Sequence, residues 1–310
     1  MENTRAKTTR NSLILLLTAT IWGMAFVSQS KGMDYMHPFT FNGVRSLIGA
    51  AGILVYILIS RKIAGDKAAK LDWKLNVRAG LLCGIFLTIA STLQQFGIKY
   101  TSVGKAGFIT TLYIIFVPMF GIFLKKKVAP VVWAAAGMAA VGMYLLCMTE
   151  SLRLGAGDIM VFLCAIAFAI QIMTVDHYAA RIDGAVVSCI QFTVCGVVCC
   201  IGALIWGQPT FGQIQEGLGA LLYAGVLSCG VGYTLQIVGQ KGLNPTVAAL
   251  IMSLESVIAT ISGWIAYKIG FLSTDQTLTP RQIAGCVIVF AAVILVQLPP
   301  EWFRFGKKND

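Results

Sequence analysis

The chain has 310 residues, 57% of them hydrophobic and 12% charged, with a mean hydropathy of +0.79 and a net charge of +11. An ordinary soluble domain carries about 25% charged residues, and a chain with half that share cannot cover its surface with polar atoms. Composition therefore excludes a soluble enzyme, a disordered chain and a disulfide-stapled secreted scaffold, and predicts a polytopic helical membrane protein.

A membrane-crossing helix needs about 20 mostly apolar residues. The first run, 11–30, follows Arg5, Lys7 and Arg10 as a signal peptide's would. It outlasts an h-region and ends without a small-x-small cleavage site, so a retained helix is expected. Spans 38–60 and 76–97 follow, and Gly80/Gly84 in the latter has the small-xxx-small spacing that lets helices approach. Ser102–Gly107 reads as a loop or a re-entrant turn before span 104–124, which Pro118 is expected to kink. Next come 130–148 and 155–175, the latter with Asp158 inside its start. Spans 184–206, 217–239 (with Gly225/Cys229 at the same small spacing), 244–267 and 281–298 complete the chain. The expected organisation is a tail 1–10, halves 11–148 and 149–298, and a tail 299–310.

With the N-terminus in the cytoplasm, 17 of the 24 Lys and Arg residues fall on cytoplasmic segments, six on outer ones, and Arg45 inside a span. This asymmetry predicts both termini in the cytoplasm. It also accounts for the surplus positive charge, which meets anionic lipid and implies no nucleic acid. All nine cysteines fall inside predicted spans, without a CxxC pair, and His37 and His177 stand at helix ends. The cysteines read as small apolar residues. Even Cys195/Cys199/Cys200 lacks a histidine or carboxylate to complete a metal site, so no metal or cofactor is expected.

Two stretches align without gaps at an offset of 142: Leu93-Gln94-Gln95-Phe96-Gly97-Ile98-Lys99 and Leu235-Gln236-Ile237-Val238-Gly239-Gln240-Lys241. The match continues through Ala106/Ala248, Ile109/Ile251 and Gly121/Gly263. It predicts an all-α fold of ten transmembrane helices as two five-helix repeats. Five is odd, so the second half enters the membrane inverted, an arrangement typical of secondary transporters.

The same stretches carry a resemblance. Ile21-Trp22-Gly23-Met24-Ala25-Phe26, His37-Pro38-Phe39-Thr40-Phe41-Asn42-Gly43-Val44-Arg45, Tyr100-Thr101-Ser102-Val103-Gly104-Lys105-Ala106-Gly107-Phe108, Phe116-Val117-Pro118 and Ser253-Leu254-Glu255-Ser256 occur in that order. Together they resemble the EamA-like family of the drug/metabolite transporter superfamily over nearly the whole chain. Ser256 stands where that family often has proline. Lys125-Lys126-Lys127 and Thr274-Asp275 stand where it often has Gly-Glu. The resemblance implies a proton-linked or facilitative carrier in the cell membrane, such as the bacterial plasma membrane, most often an exporter of metabolites such as amino acids.

Helical rise places the candidate site. Glu255 lies about 16 Å into its span, near the midplane of a core about 30 Å thick. It is the only acidic residue near the middle of any span. A charge there costs at least about 2.5 kcal/mol, so Glu255 reads as a proton carrier, an anchor for a substrate ammonium, or a packing group bonded to Ser or Gln. Trp22 lies at similar depth, Tyr113 is the repeat partner of Glu255, and Phe168 and Gln171 sit near the middle of the sixth span. These five are the candidate substrate-binding residues.

Arg45, about 10 Å below the outer surface, reads as a gate, a carboxylate ligand or a snorkelling cation, with Gln191 its approximate counterpart. Gln94, Gln95 and Gln236 read as further gate positions or as interhelical hydrogen-bonding groups. Partners expected are a small-molecule substrate, the bilayer and protons, with the chain a monomer or homodimer. GxSxG, HExxH and paired mid-membrane carboxylates are absent from the sequence, so an enzyme is not expected; nor is there a P-loop for ATP. The alternative within transporters is an exporter of drugs or hydrophobic cations, held by aromatic rings and Glu255.

Overall fold

The computed structural model describes residues 2–65, 71–101, 103–125, 129–147, 155–272 and 277–297. Lys126, Lys127, Ser102, Arg153 and Thr274-Asp275 lie outside them. The helices are α1 (Glu2–Gly32), α2 (Pro38–Ala64), α3 (Trp73–Tyr100), α4 (Val103–Phe123), α5 (Pro130–Cys147), α6 (Ala156–Tyr178), α7 (Gly184–Gly207), α8 (Leu218–Gly239), α9 (Pro245–Lys268) and α10 (Pro280–Gln297). Among the described residues eight are long and apolar enough to cross a membrane; α5 and α10 carry shorter apolar stretches, Pro130–Gly142 and Pro280–Leu295. Large apolar side chains such as Leu58, Ile63 and Phe123 face outward, as a hydrocarbon solvent allows.

Caps fix several ends. The Asp72 carboxylate accepts from Leu75 N at the start of α3. Asp183 accepts from Ala185 N and Val186 N at α7, and Asn244 from Thr246 N at α9. A short helix at Phe211–Glu216 was not foreseen in the sequence; Thr210 and Gln213 close its capping box. Two π-helical stretches, Ala203–Gly207 at the end of α7 and Tyr223–Gly232 in α8, were not foreseen either.

The packing has an internal symmetry. α2 packs on α7, α5 on α10 and α4 on α9. α3 packs on α6 as α8 does on α1, α3 on α7 as α8 does on α2, and α1 on α9 as α6 does on α4. Exchanging α1–α5 with α6–α10 leaves this set unchanged. The first piece of α4 packs on the second piece of α9, and the second on the first, so these two helices cross antiparallel.

Both crossing helices are broken. α4 divides at Leu112 and α9 at Ser253, rather than at the expected Pro118, which lies inside the second helical piece of α4. The Thr111 hydroxyl donates to Phe108 O at 2.9 Å, and the Ser253 hydroxyl donates to Leu250 O at 2.7 Å. Hydroxyls bonding back three residues compete with the helical ladder and loosen it. Thr111 and Ser253 are 142 residues apart, as are Phe108 and Leu250, so the same hydroxyl-to-backbone bond stands at the same repeat position, next to Leu112 in α4 and at Ser253 itself in α9.

Candidate substrate site

The breaks place Tyr113 and Glu255 face to face. Tyr113 donates its hydroxyl proton to Glu255 Oε1 at 3.0 Å, across the 142 residues of the repeat offset. Two symmetry-related positions that touch must flank the pseudo-twofold axis, so this bond marks the centre of the molecule. Glu255 is 4% exposed. Its helix is held against α1 at Gly23, where a Cβ would stand 2.7 Å from Glu255 O.

A narrow cavity of about 30 Å³ lies at this centre. That is room for one or two water molecules, far below the 300 Å³ or more of a typical ligand pocket. A ligand of that size does not fit this volume. Of the ten residues singled out in the sequence, Trp22, Arg45, Gln94, Tyr113, Phe168, Gln171, Gln236 and Glu255 line the cavity, and Gln95 and Gln191 do not. Gln95 donates to Gln29 O at 3.1 Å, and Gln191 is fully buried with neither amide atom partnered.

Arg45 stays inside. It is 5% exposed, its guanidinium lies 5.4 Å over the Phe41 ring, and it has no carboxylate partner among the described residues. Glu255 likewise has no cationic partner there. The glutamines do form interhelical bonds: Gln94 donates to Thr110 Oγ1 at 3.2 Å, and Gln171 and Gln236 exchange amide bonds. The Trp22 ring centroid lies 4.5 Å from that of Tyr233, and its indole N–H donates to Ser228 O.

Phe192 and Tyr233, whose rings meet edge to face at 5.0 Å, also line the cavity and were missed in the sequence. The repeat was the signal that could have found more. Phe26/Phe168, Gln29/Gln171 and Ser91/Tyr233 each stand 142 apart, and Ser46/Phe192 stand 146 apart, as Arg45 and Gln191 do. Every member of those four pairs lines the cavity. The side chains of eight of the nine cysteines are described, and all eight are free thiols; Cys195 contacts the Ser46 and Ser91 hydroxyls at 3.5 and 3.4 Å. Among the described residues no three His, Cys, Asp or Glu side chains cluster as a metal site.

Long apolar helices, two of them interrupted beside a narrow central cavity lined by Arg45, Glu255 and several glutamines, suit a multi-pass membrane transporter. Comparison with known proteins agrees. The EamA-like transporter family matches residues 10–148 and again 155–298, and the chain belongs to this family. An uncharacterized transporter of Archaeoglobus fulgidus is 27% identical, covering 92% of this chain and 84% of that protein. The uncharacterized transporter YwfM of Bacillus subtilis is 24% identical, covering 94% of each. A solved crystal structure 16% identical in sequence superposes with a TM-score of 0.73 over 96% of this chain and 99% of that one, so the fold is shared.

Proposed function

We propose that this protein is a secondary transporter that exports a small zwitterionic metabolite, an amino acid or a related compound, by alternating access. Ten spans form two inverted halves, with both termini in the cytoplasm and the chain in a cell membrane. The observation that carries the substrate reading is the pair Arg45 and Glu255. They line one cavity and have no opposite charge from the protein among the described residues. A substrate carboxylate answers Arg45, an ammonium answers Glu255, and Trp22, Phe168 and Tyr233 enclose the carbon skeleton. A hydrophobic cation would suit Glu255 and the rings but would be repelled by Arg45 in the same cavity.

A carboxylate near the bilayer centre is costly without a partner, and among the described residues Glu255 has only the Tyr113 hydroxyl. Taking up a proton when substrate leaves relieves that cost, which couples export to proton entry. Counterflow in liposomes loaded with an amino-acid mixture tests the reading. The unmodified protein should exchange labelled substrate under trans-stimulation. Glu255→Gln should keep counterflow only at weakened apparent affinity and lose its response to an imposed pH gradient, and Arg45→Gln should lose about tenfold or more in apparent affinity for carboxylate substrates. An unchanged pH response in Glu255→Gln removes the proton role. Uptake of lipophilic cations with no response to amino acids overturns the substrate class.

A further inference from the structure

Away from the central cavity, α2 and α8 enclose a groove of about 420 Å³ on the apolar exterior. Gly49 and Gly52 of α2 and Gly230 of α8 line it, Gly49 packed against Cys229 of α8 and Gly52 facing open space. At Gly52 an added Cβ would meet nothing within 4 Å. The groove does not end blindly. Tyr56, Thr234 and Val238 line both it and a second, polar pocket of about 620 Å³ at the ends of α2, α6 and α8.

That pocket holds three cations, Arg61, Arg181 and Lys241, and two carboxylates, Asp72 and Asp183. The carboxylates are engaged as helix caps, each accepting backbone N–H groups. Lys241 donates one proton to Ile182 O at 3.2 Å and has two left. Arg61 and Arg181 have no carboxylate partner among the described residues. From Gly49 to Arg61 is twelve residues of helix, about 18 Å, close to half the thickness of the hydrocarbon core. The groove thus runs from near the bilayer midplane to a basic pocket at head-group level.

The geometry points to a binding site for an anionic phospholipid of the surrounding bilayer, with one acyl chain between α2 and α8 and the phosphate on Arg61, Arg181 and Lys241. Charge complementarity selects an anionic head group, and basic pockets between helices at the cytoplasmic surface recognise such lipids. Under the topology proposed above, this end faces the cytoplasm. The lipid would wedge against the π-helical stretch of α8, the same helix that carries Ser228, Tyr233 and Gln236 to the cavity. Its occupancy therefore bears on transport.

The test uses the full chain, stripped of lipid in detergent, with thermal unfolding and native mass spectrometry as readouts. Phosphatidylglycerol should raise the unfolding midpoint and bind as one tightly held molecule, and phosphatidylcholine should do so far less. Gly52→Phe, which fills the groove from open space, should abolish the response, with Gly52→Leu as a milder version. Arg61→Gln with Arg181→Gln should weaken binding about thirtyfold. Equal responses to both lipids overturn the proposal, as does a phosphatidylglycerol response that survives Gly52→Phe. A full response to glycerol phosphate alone would make the pocket a soluble-anion site. A dimer that Gly52→Phe dissociates would make the groove a contact between two copies of the chain.

Discussion

The two ends of the molecule are built on one plan and differ in chemistry. At the end where α4 and α6 begin, Asp158 is 3% exposed and bonds Lys105 Nζ at 2.8 Å, Thr101 Oγ1 at 2.7 Å and Gly155 N at 3.0 Å. Lys105 and Thr101 belong to the first half and Asp158 to the second. At an offset of 142 the opposite end has Leu16, Val247 and Leu243 in those places. One end is latched by charge, and the equivalent positions at the other carry apolar side chains. A fold with a twofold plan needs equal geometry at both ends, but a carrier that works in one direction gains from ends that open at different cost.

The sharpest expected contrast comes from breaking the latch. Asp158→Asn removes the carboxylate that pairs with Lys105 in a part-buried site. With one member partly exposed, the loss should be about 2 kcal/mol, between the surface and the buried limits. Hydrogen exchange should then speed up in the first turns of α4 and α6, while Val247→Ala at the opposite end leaves exchange there unchanged. Equal responses at both ends would refute the asymmetry.

A smaller contrast lies in the helix contacts. Gly97 of α3 meets α6 so closely that a Cβ would stand 2.9 Å from Gly157 O, a backbone atom that cannot swing aside. Its equivalent, Gly239 of α8, faces side-chain atoms instead, Cδ2 and Cγ of the buried Leu15 at 2.7 and 2.8 Å. Gly97→Ala should cost about 3 kcal/mol, the upper end of overpacking, and Gly239→Ala nearer about 1 kcal/mol, since side chains yield more readily than backbone. Thermal unfolding of the two variants side by side checks this. Similar losses would mean that both contacts are equally rigid.

These contrasts also show how far the sequence could be read. Every helix from α2 to α10 begins and ends within three or four residues of its apolar run, because lipid demands an apolar segment and a closed backbone ladder. The 142 offset made Tyr113 the repeat partner of Glu255, and the hydrogen bond between them came from the packing. The breaks could not be read there, since Thr111 and Ser253 look like any small polar residues until their hydroxyls are seen to bond backwards. Nor could the company of Arg45. Sequence depth put it near the outer surface, whereas packing keeps it beside Phe41 and lining the cavity. Helix depth fixes a position along the membrane normal but not which way a long side chain turns.

The smallest effect concerns the caps of α2 and α7, His37 and Asp183, which are equivalent at the 146 offset. His37 accepts from Phe39 N through Nδ1 at 3.4 Å, which requires a neutral imidazole. Burial, with the nearby Lys99 charge, holds its pKa below the ordinary 6.5. A histidine lowered in the folded state contributes its full stability above 6.5 and loses it as pH falls through the lower folded value. The cap is long, so the loss should be under about 1 kcal/mol. Acidification from about pH 7.5 to about pH 5 should raise amide exchange, after correction for intrinsic rates, at residues 39–42 but not at 185–188. His37→Asp should remove that difference, because a carboxylate cap titrates below this window. A pH response of equal size at both helix starts would place its origin elsewhere in the bundle.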